Sequence, residues 1–155
     1  MFSETFFDTY RERLDTIGAW EIDPVEGEIV WRGPEVLRND WVPFDLRIGT
    51  EVEDESGSFD PDAAMFALWE SYRSQHSSCV AKFRHEAEEL FADDEEIPFG
   101  KREVTRADVR ITRSGEPGDV FRSLEVVFIV PQDQDHGYYA EYDDKADDWG
   151  EISCS

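Results

Sequence analysis

The sequence has little positive charge. Lysine and arginine total 15 against 38 aspartates and glutamates, which gives a formal net charge of −23. A surface of this sign repels the phosphates of nucleic acids and the headgroups of anionic lipids, so neither is expected as a partner. No apolar run approaches the roughly 18 residues of a membrane span. The acidic beginning MFSETFFDTY also lacks the positive region of a signal peptide, so a cytoplasmic location is expected.

Cysteine is scarce as well. Cys79 and Cys154 are the only two, and the sequence holds no CxxC pair and no cysteine–histidine quartet. Neither a disulfide framework nor a metal site is therefore expected.

The acidity does not indicate disorder. Hydrophobic residues make up 39% and aromatics 14% of the chain, which is enough to build a core. The acidic residues therefore belong to a folded surface, and they are spread along the whole chain with only 3 lysines beside 12 arginines. This composition is typical of halophilic proteins, whose charges are screened in molar salt. The alternative is an acidic decoy that imitates nucleic acid.

The N-terminal residues 3–17 are predicted to form an amphipathic helix with Ser3 as its N-cap. One interpretation is that this helix covers the core of its own chain, and the other is that it forms a homodimer interface. The apolar stripe that would do either consists of Phe6, Phe7, Tyr10 and Leu14.

Downstream, hydrophobic alternation predicts strands and turn residues predict their ends. A hairpin is predicted from Trp20 to Trp31, and one or two helical turns within residues 34–57. A helix is predicted to begin at Asp60, which precedes Pro61. The later predictions are a strand over 79–88, an acidic loop over 92–100, and strands over 102–113 and 120–130, the last of them central.

These elements predict an α+β fold, a five-stranded antiparallel sheet with helices on one face and an N-terminal amphipathic helix. The expected organisation is a helix over residues 1–17, a domain over 18–132 and an acidic, aromatic tail over 133–155. That tail is expected to be mobile, with partner docking through its aromatic residues as the alternative.

Several sequence segments resemble those of the PAS family of sensory domains. They are the stretch Gly18–Pro24 (GAWEIDP) with Gly27–Trp31 (GEIVW), the helix start Asp60–Asp62, and the closing hairpin from Arg110 to Val130. The resemblance covers residues 18–131. The sequence departs from the family in a longer acidic segment after Phe91 and in having no recognisable signalling motif after the last strand.

The resemblance implies a pocket between the sheet and the helices that holds flavin, haem, a small organic ligand or nothing. The same side chains would equally form a plain core. The residues expected to line the pocket are Trp20, Trp31, Leu68, Trp69, Tyr72, His76, Phe83 and Phe128.

His76 is the main cofactor candidate, because haem-binding members of the family carry an axial histidine on this helix and imidazole is a good iron ligand. His85 has a weaker claim, and either residue can instead be a hydrogen-bonded structural histidine. Cys79 lacks the sequence context of flavin-adduct sensors and is expected to be a small buried hydrophobe. The cofactor is unassigned.

The expected function is that of a sensory or interaction module that binds a small ligand or a signalling protein and catalyses nothing, since no catalytic motif occurs. The first alternative is an acidic interaction or inhibitor protein that binds a basic protein surface. The second is a small cone-shaped α+β enzyme of the NTF2-like kind.

Overall fold

The computed structural model describes residues 2–53, 57–92, 102–116, 118–143 and 148–155. Within these ranges the chain forms three helices and eight strands. Their bounds are α1 (Glu4–Ile17), β1 (Trp20–Asp23), β2 (Glu28–Trp31), β3 (Phe44–Thr50), α2 (Ala63–Arg73), α3 (His76–Phe91), β4 (Arg106–Glu116), β5 (Asp119–Ile129), β6 (Tyr138–Asp143), β7 (Asp148–Trp149) and β8 (Ser153–Cys154).

The N-terminal helix is confirmed, with Ser3 as its N-cap. The Ser3 hydroxyl accepts a hydrogen bond from the Phe6 N–H at 3.1 Å. Phe6 and Leu14 are buried in the core, and the indole N–H of Trp31 donates to the Leu14 carbonyl at 3.2 Å. This buried bond attaches α1 to β2.

The second helix begins two residues later than predicted. Its N-cap is Asp62, whose carboxylate accepts from the Met65 N–H at 3.2 Å. The carboxylate of Asp60 accepts instead from the Ser3 N–H at 2.7 Å. Asp60 therefore fixes the start of α1, 57 residues away in sequence.

The strand predicted over residues 79–88 is wrong, because this segment lies within α3. A segment with an apolar residue at every second position also has one at every fourth position, so the same pattern fits a strand and a helix. In the structure the residues four positions apart pack against the core. The buried residues at that spacing are Cys79, Phe83, Ala87 and Phe91.

The helical turns predicted within 34–57 are also wrong in part, because Phe44–Thr50 forms β3. Phe44, Leu46 and Ile48 are buried in the core, as a half-buried strand requires. This strand lies between β2 and β4 and runs parallel to β4. A parallel pair needs a long crossover, which α2 and α3 provide.

The sheet therefore corrects the predicted fold. In the described ranges it has eight strands in the order β1-β2-β3-β4-β5-β6-β7, with β8 also paired to β6. It is mixed, because the β3–β4 pair is parallel and the other pairs are antiparallel. The five-stranded antiparallel sheet is wrong, whereas the broader α+β class is confirmed.

Part of the segment expected to be a mobile tail lies in this sheet. β6 pairs with β5, and its Tyr138 and Ala140 side chains are buried in the core. The final residues add β7 and β8 along the other side of β6. Of the predicted acidic loop 92–100, residues 93–100 lie outside the described ranges.

The core lies between one face of the sheet and the helices. The buried hydrophobic residues of α1, α2 and α3 all belong to one cluster with alternate residues of the strands. The side chains between those alternate residues point to the opposite side of the sheet, on which no helix packs within the described part of the chain. We call this side the uncovered face, and its charged strand residues include Glu21, Asp23, Glu28, Asp45, Arg47, Arg106, Asp108, Arg110, Glu125, Glu141 and Asp143.

Candidate functional site

The uncovered face carries a row of side chains that crosses six strands. In a sheet, residues directly opposite each other on neighbouring strands are side by side. The observed register gives the order Glu21, Val30, Arg47, Arg110, Glu125 and Glu141. Two arginines thus occupy the middle of the sheet, with carboxylates toward both edges.

The two central strands repeat one short pattern. β3 contains Asp-Leu-Arg-Ile over residues 45–48, and β4 contains Asp-Val-Arg-Ile over residues 108–111. The strands are parallel and in register, so Asp45 lies beside Asp108 and Arg47 lies beside Arg110. The result is a compact group of two carboxylates and two guanidinium groups at the centre of the uncovered face.

Arg47 connects the carboxylates of three strands. Its Nη1 donates to Oδ2 of Asp23 at 3.1 Å and to Oε1 of Glu28 at 3.2 Å, and its Nε lies 3.6 Å from Oδ2 of Asp108. The Arg47 side chain is only 8% exposed. The planar guanidinium holds several acceptors in a fixed geometry, so these carboxylates are ordered before any ligand arrives.

Burial and pairing have opposite effects on these acids. Burial raises the pKa of Glu28, and the positive charge of Arg110 opposes that effect. Burial likewise raises the pKa of Asp108, against the charge of Arg47. Hydrogen bonds from the backbone of Glu26 and from Arg47 instead lower the pKa of Asp23.

Glu125 and Glu141 form a like-charged pair on adjacent strands. They are directly opposite each other in the β5–β6 register. Burial, followed by repulsion from Glu141, raises the pKa of Glu125. Like charges in this arrangement destabilise a sheet, so this pair weakens the fold at neutral pH.

Three atoms in the centre of the uncovered face lack hydrogen-bond partners. They are Nε of Arg47, Nε of Arg110 and Oδ1 of Asp108, and the Asp108 residue is only 3% exposed. The groups brought together here are ion-paired carboxylates and guanidinium groups, which can bind charge but include no nucleophile paired with a base. Across the described ranges, no three histidine, cysteine, aspartate or glutamate residues are grouped so that they could hold a metal ion.

The residues predicted to line a ligand pocket lie elsewhere, on the covered side of the sheet. Trp20 and Leu68 are partly buried at the border of the core. A narrow gap bordered by Leu68, Tyr72 and Trp149 has no room for the centre of a water molecule. The other six predicted residues are buried within the core itself: Trp31, Trp69, Tyr72, His76, Phe83 and Phe128.

His76 occupies a buried position in this core. Its Nδ1 lies 2.6 Å from the Tyr72 hydroxyl, and its ring packs edge to face against Phe44 at 4.9 Å. Burial lowers the pKa of His76. His85 is an exposed residue of α3, 3.2 Å from Glu89. Burial raises the pKa of Cys79 to about 11.

The apolar stripe of α1 packs against its own chain. Phe6 and Leu14 are buried, so their side chains have little surface left for a partner. Phe7 stacks on Trp20 with ring centroids 5.6 Å apart, and Tyr10 stacks on Phe66 at 5.0 Å. The homodimer through this helix stays a prediction.

The sequence patterns did not predict the charged group on the uncovered face, because they did not predict β3. Without that strand, Arg47 had no place beside Arg110. One signal was available in the sequence, the repeated pattern of Asp, apolar residue, Arg and Ile at 45–48 and 108–111. Two copies of one short strand pattern are what two neighbouring strands in register would show.

Comparison with protein-family models, with curated proteins and with solved structures gave no significant match for this chain. In the described part of the chain, no helix combines the length and the apolar character that crossing a membrane requires. The resemblance to PAS domains therefore stays a prediction.

Proposed function

We propose that this chain is a binding protein without catalytic chemistry of its own, which holds a basic protein against the uncovered face of its sheet. The observation that carries the proposal is the pair Glu125 and Glu141, which lie opposite each other beside the ordered network around Arg47. The carboxylates paired with Arg47 are themselves only 4–16% exposed, so they fix the geometry of the face rather than meet a partner. Unpaired negative charge in a fixed position gives an interface its specificity and its association rate.

The stability of the sheet supports the same proposal. Glu125 and Glu141 repel each other on adjacent strands, and Asp45 lies directly beside Asp108. Such pairs lower stability in the free protein. A cationic side chain from a partner would relieve that repulsion, so these positions favour the bound state.

The sensory-module hypothesis and the NTF2-like alternative stay predictions. The residues expected to form a ligand pocket are packed together in the core, so the geometry favours the interaction protein over both of them.

The test uses a peptide of alternating arginine and serine as a probe, titrated into the whole chain at low salt by calorimetry. A double variant of the uncovered face, Glu125→Gln with Glu141→Gln, is compared with a control, Glu12→Gln with Glu70→Gln, on exposed positions of α1 and α2. Both variants remove two negative charges. We expect the first to weaken binding by about tenfold and the control by less than about twofold.

Equal weakening by the two variants would mean that the peptide senses only the net charge, and the proposed surface would then be wrong. Amide chemical shifts recorded during the same titration give an independent answer. They are expected to change on β3, β4, β5 and β6 rather than on the helices.

A further inference from the structure

An exposed aromatic residue lies on the strand that carries Glu125, four positions before it. Phe121 on β5 is 57% exposed, whereas Leu124, Val126 and Phe128 of the same strand are buried. Single exposed apolar side chains are common on soluble domains, so the position of Phe121 on the charged face, rather than its exposure alone, is what indicates an interaction site.

Phe121 lies on a hairpin that extends beyond its neighbours. The β4–β5 register continues through Ser114 opposite Phe121 to Glu116 opposite Asp119. On one side β3 ends at Thr50, opposite Arg113, and on the other side the register of β6 with β5 begins at Glu125. Residues 114–116 and 119–121 therefore extend beyond the last pairs of β3 and β6.

The strand alternation places Phe121 on the uncovered face. Phe121 has the same parity as Ser123 and Glu125, whereas the next residue, Arg122, has the parity of the core residues. The Arg122 guanidinium indeed donates to Asp62, the N-cap of a helix on the covered side, at 3.0 Å. The Phe121 ring must then point to the opposite side.

The position of the ring depends on the glycine at residue 115. A Cβ built on Gly115 would lie 3.3 Å from Cδ1 of Phe121 and 2.3 Å from the Asp119 carbonyl oxygen. Gly115 has a positive φ of 113°, which favours glycine. A side chain at position 115 would therefore displace the Phe121 ring.

We propose that Phe121 is the apolar anchor of this surface, and that its partner is a basic protein with an apolar pocket beside its positive patch. The proposal rests on the proposed function, because the charged row supplies the complementary charge. Aromatic residues surrounded by polar contacts are the usual centres of binding energy in protein interfaces. Negative charge alone would bind any basic surface. Together with Phe121 it favours a basic surface that has an apolar pocket beside it.

The experiment uses two peptides of equal length and equal arginine content. One carries serine between the arginines, and in the other some of those serines are leucine. The variants are Phe121→Ser, the conservative Phe121→Trp, and the control Leu90→Ser. Leu90 is another exposed apolar residue, 44% exposed, on helix α3 of the covered side.

We expect the unaltered protein to bind the leucine peptide about tenfold more tightly than the serine peptide. Phe121→Ser is expected to abolish that preference without changing the affinity for the serine peptide. Phe121→Trp and Leu90→Ser are expected to keep it. Unchanged thermal unfolding of each variant verifies that the fold is intact.

The two proposals fail in different ways. If Phe121→Ser keeps the preference for leucine, or if Leu90→Ser loses it, then Phe121 is not the anchor even though the charged row binds arginine. If the serine peptide binds equally well after the Glu125→Gln and Glu141→Gln changes, the proposed function itself is wrong.

Discussion

The side chain of Glu28 lies directly over Gly49, so that a Cβ on Gly49 would be 2.8 Å from Cγ of Glu28. Gly49 is the residue of β3 next to Arg47 on the uncovered face. Its missing side chain lets Glu28 reach across to the Arg47 guanidinium at 3.2 Å. The absence of a side chain at Gly49 is therefore what allows Glu28 to pair with Arg47.

Gly49→Ala is expected to destabilise the protein by about 1–3 kcal/mol, because the added methyl group displaces Glu28 from a buried ion pair. Urea unfolding measures this. The control is Gly137→Ala, where the nearest atom to the added Cβ is the Ser155 hydroxyl at 3.8 Å, an ordinary contact. Equal stability of the Gly49→Ala variant and the unaltered protein would show that Glu28 has room to move.

Arg47→Met is expected to destabilise the protein by roughly 3 kcal/mol, because it leaves buried carboxylates without their cation. Arg32→Met is the control, since the Arg32 side chain is 47% exposed and pairs with exposed Glu21. Its loss is expected to stay below about 1 kcal/mol. Denaturant unfolding of both variants gives the comparison.

A double-mutant cycle checks that the Arg47 effect arises from its partners. Asp108→Asn removes one of the buried negative charges, 3.6 Å from the Arg47 guanidinium. The double variant should therefore be more stable than the sum of the single effects predicts. Strict additivity would contradict a direct interaction between the two residues.

Glu125→Gln is expected to stabilise the protein at neutral pH by on the order of 0.5 kcal/mol, because it removes the repulsion from Glu141. The folded-state pKa of Glu125 is raised above its ordinary value of 4.5. Its contribution to stability is therefore fully present below that value and is lost as the pH rises through the folded-state pKa. The stabilisation by Glu125→Gln should accordingly disappear below the ordinary glutamate pKa of 4.5, where the carboxyl group is protonated in both the folded and the unfolded state.

The measurement for Glu125 is the urea midpoint of the variant and of Glu12→Gln as a function of pH. Glu12 is an exposed residue in the middle of α1, away from the sheet. A stabilisation by Glu125→Gln that is equally large below and above the ordinary glutamate pKa would contradict the electrostatic explanation.

His76 is expected to make the fold sensitive to acid. Burial lowers its folded-state pKa below the ordinary value of 6.5, so the unfolded chain takes up a proton first. Stability from this group is present above pH 6.5 and is lost as the pH falls toward the folded-state pKa. His76→Gln is expected to flatten the pH dependence of the unfolding midpoint in this window. His85→Gln, at an exposed position, should leave the pH dependence of the unfolding midpoint unchanged.

The sequence predicted several local elements correctly. Ser3 before an apolar stripe predicted the N-terminal helix, and Gly27 between two alternating segments predicted the first hairpin. In both cases the signal lies within a few residues, because caps and turns depend on local backbone hydrogen bonds. Local signals failed where two periods overlapped, as in the helix that contains Cys79 and Phe83.

The candidate site could not be predicted in the same way. The repeated pattern around Asp45 and Asp108 is visible in the sequence, but the two copies are 63 positions apart and nothing local says that they pair. Only the crossover through α2 and α3 brings them into parallel register. The aromatic residues that the PAS resemblance implied as the lining of a pocket, or equally as a plain core, could be located only in the structure, where most of them are packed together.

The amino-acid sequence by itself determined the charge of this protein, its capacity to form a core and its local caps and turns, because these follow from composition and from neighbours along the chain. The tertiary structure alone decided that Arg47 meets Asp23, Glu28 and Asp108, that Glu125 opposes Glu141, and that Phe121 lies on the same side of the sheet. The physical reason is that strand pairing is set by the burial of one sheet face against the helices. The register chosen to fill the core then fixes which charges meet on the other side.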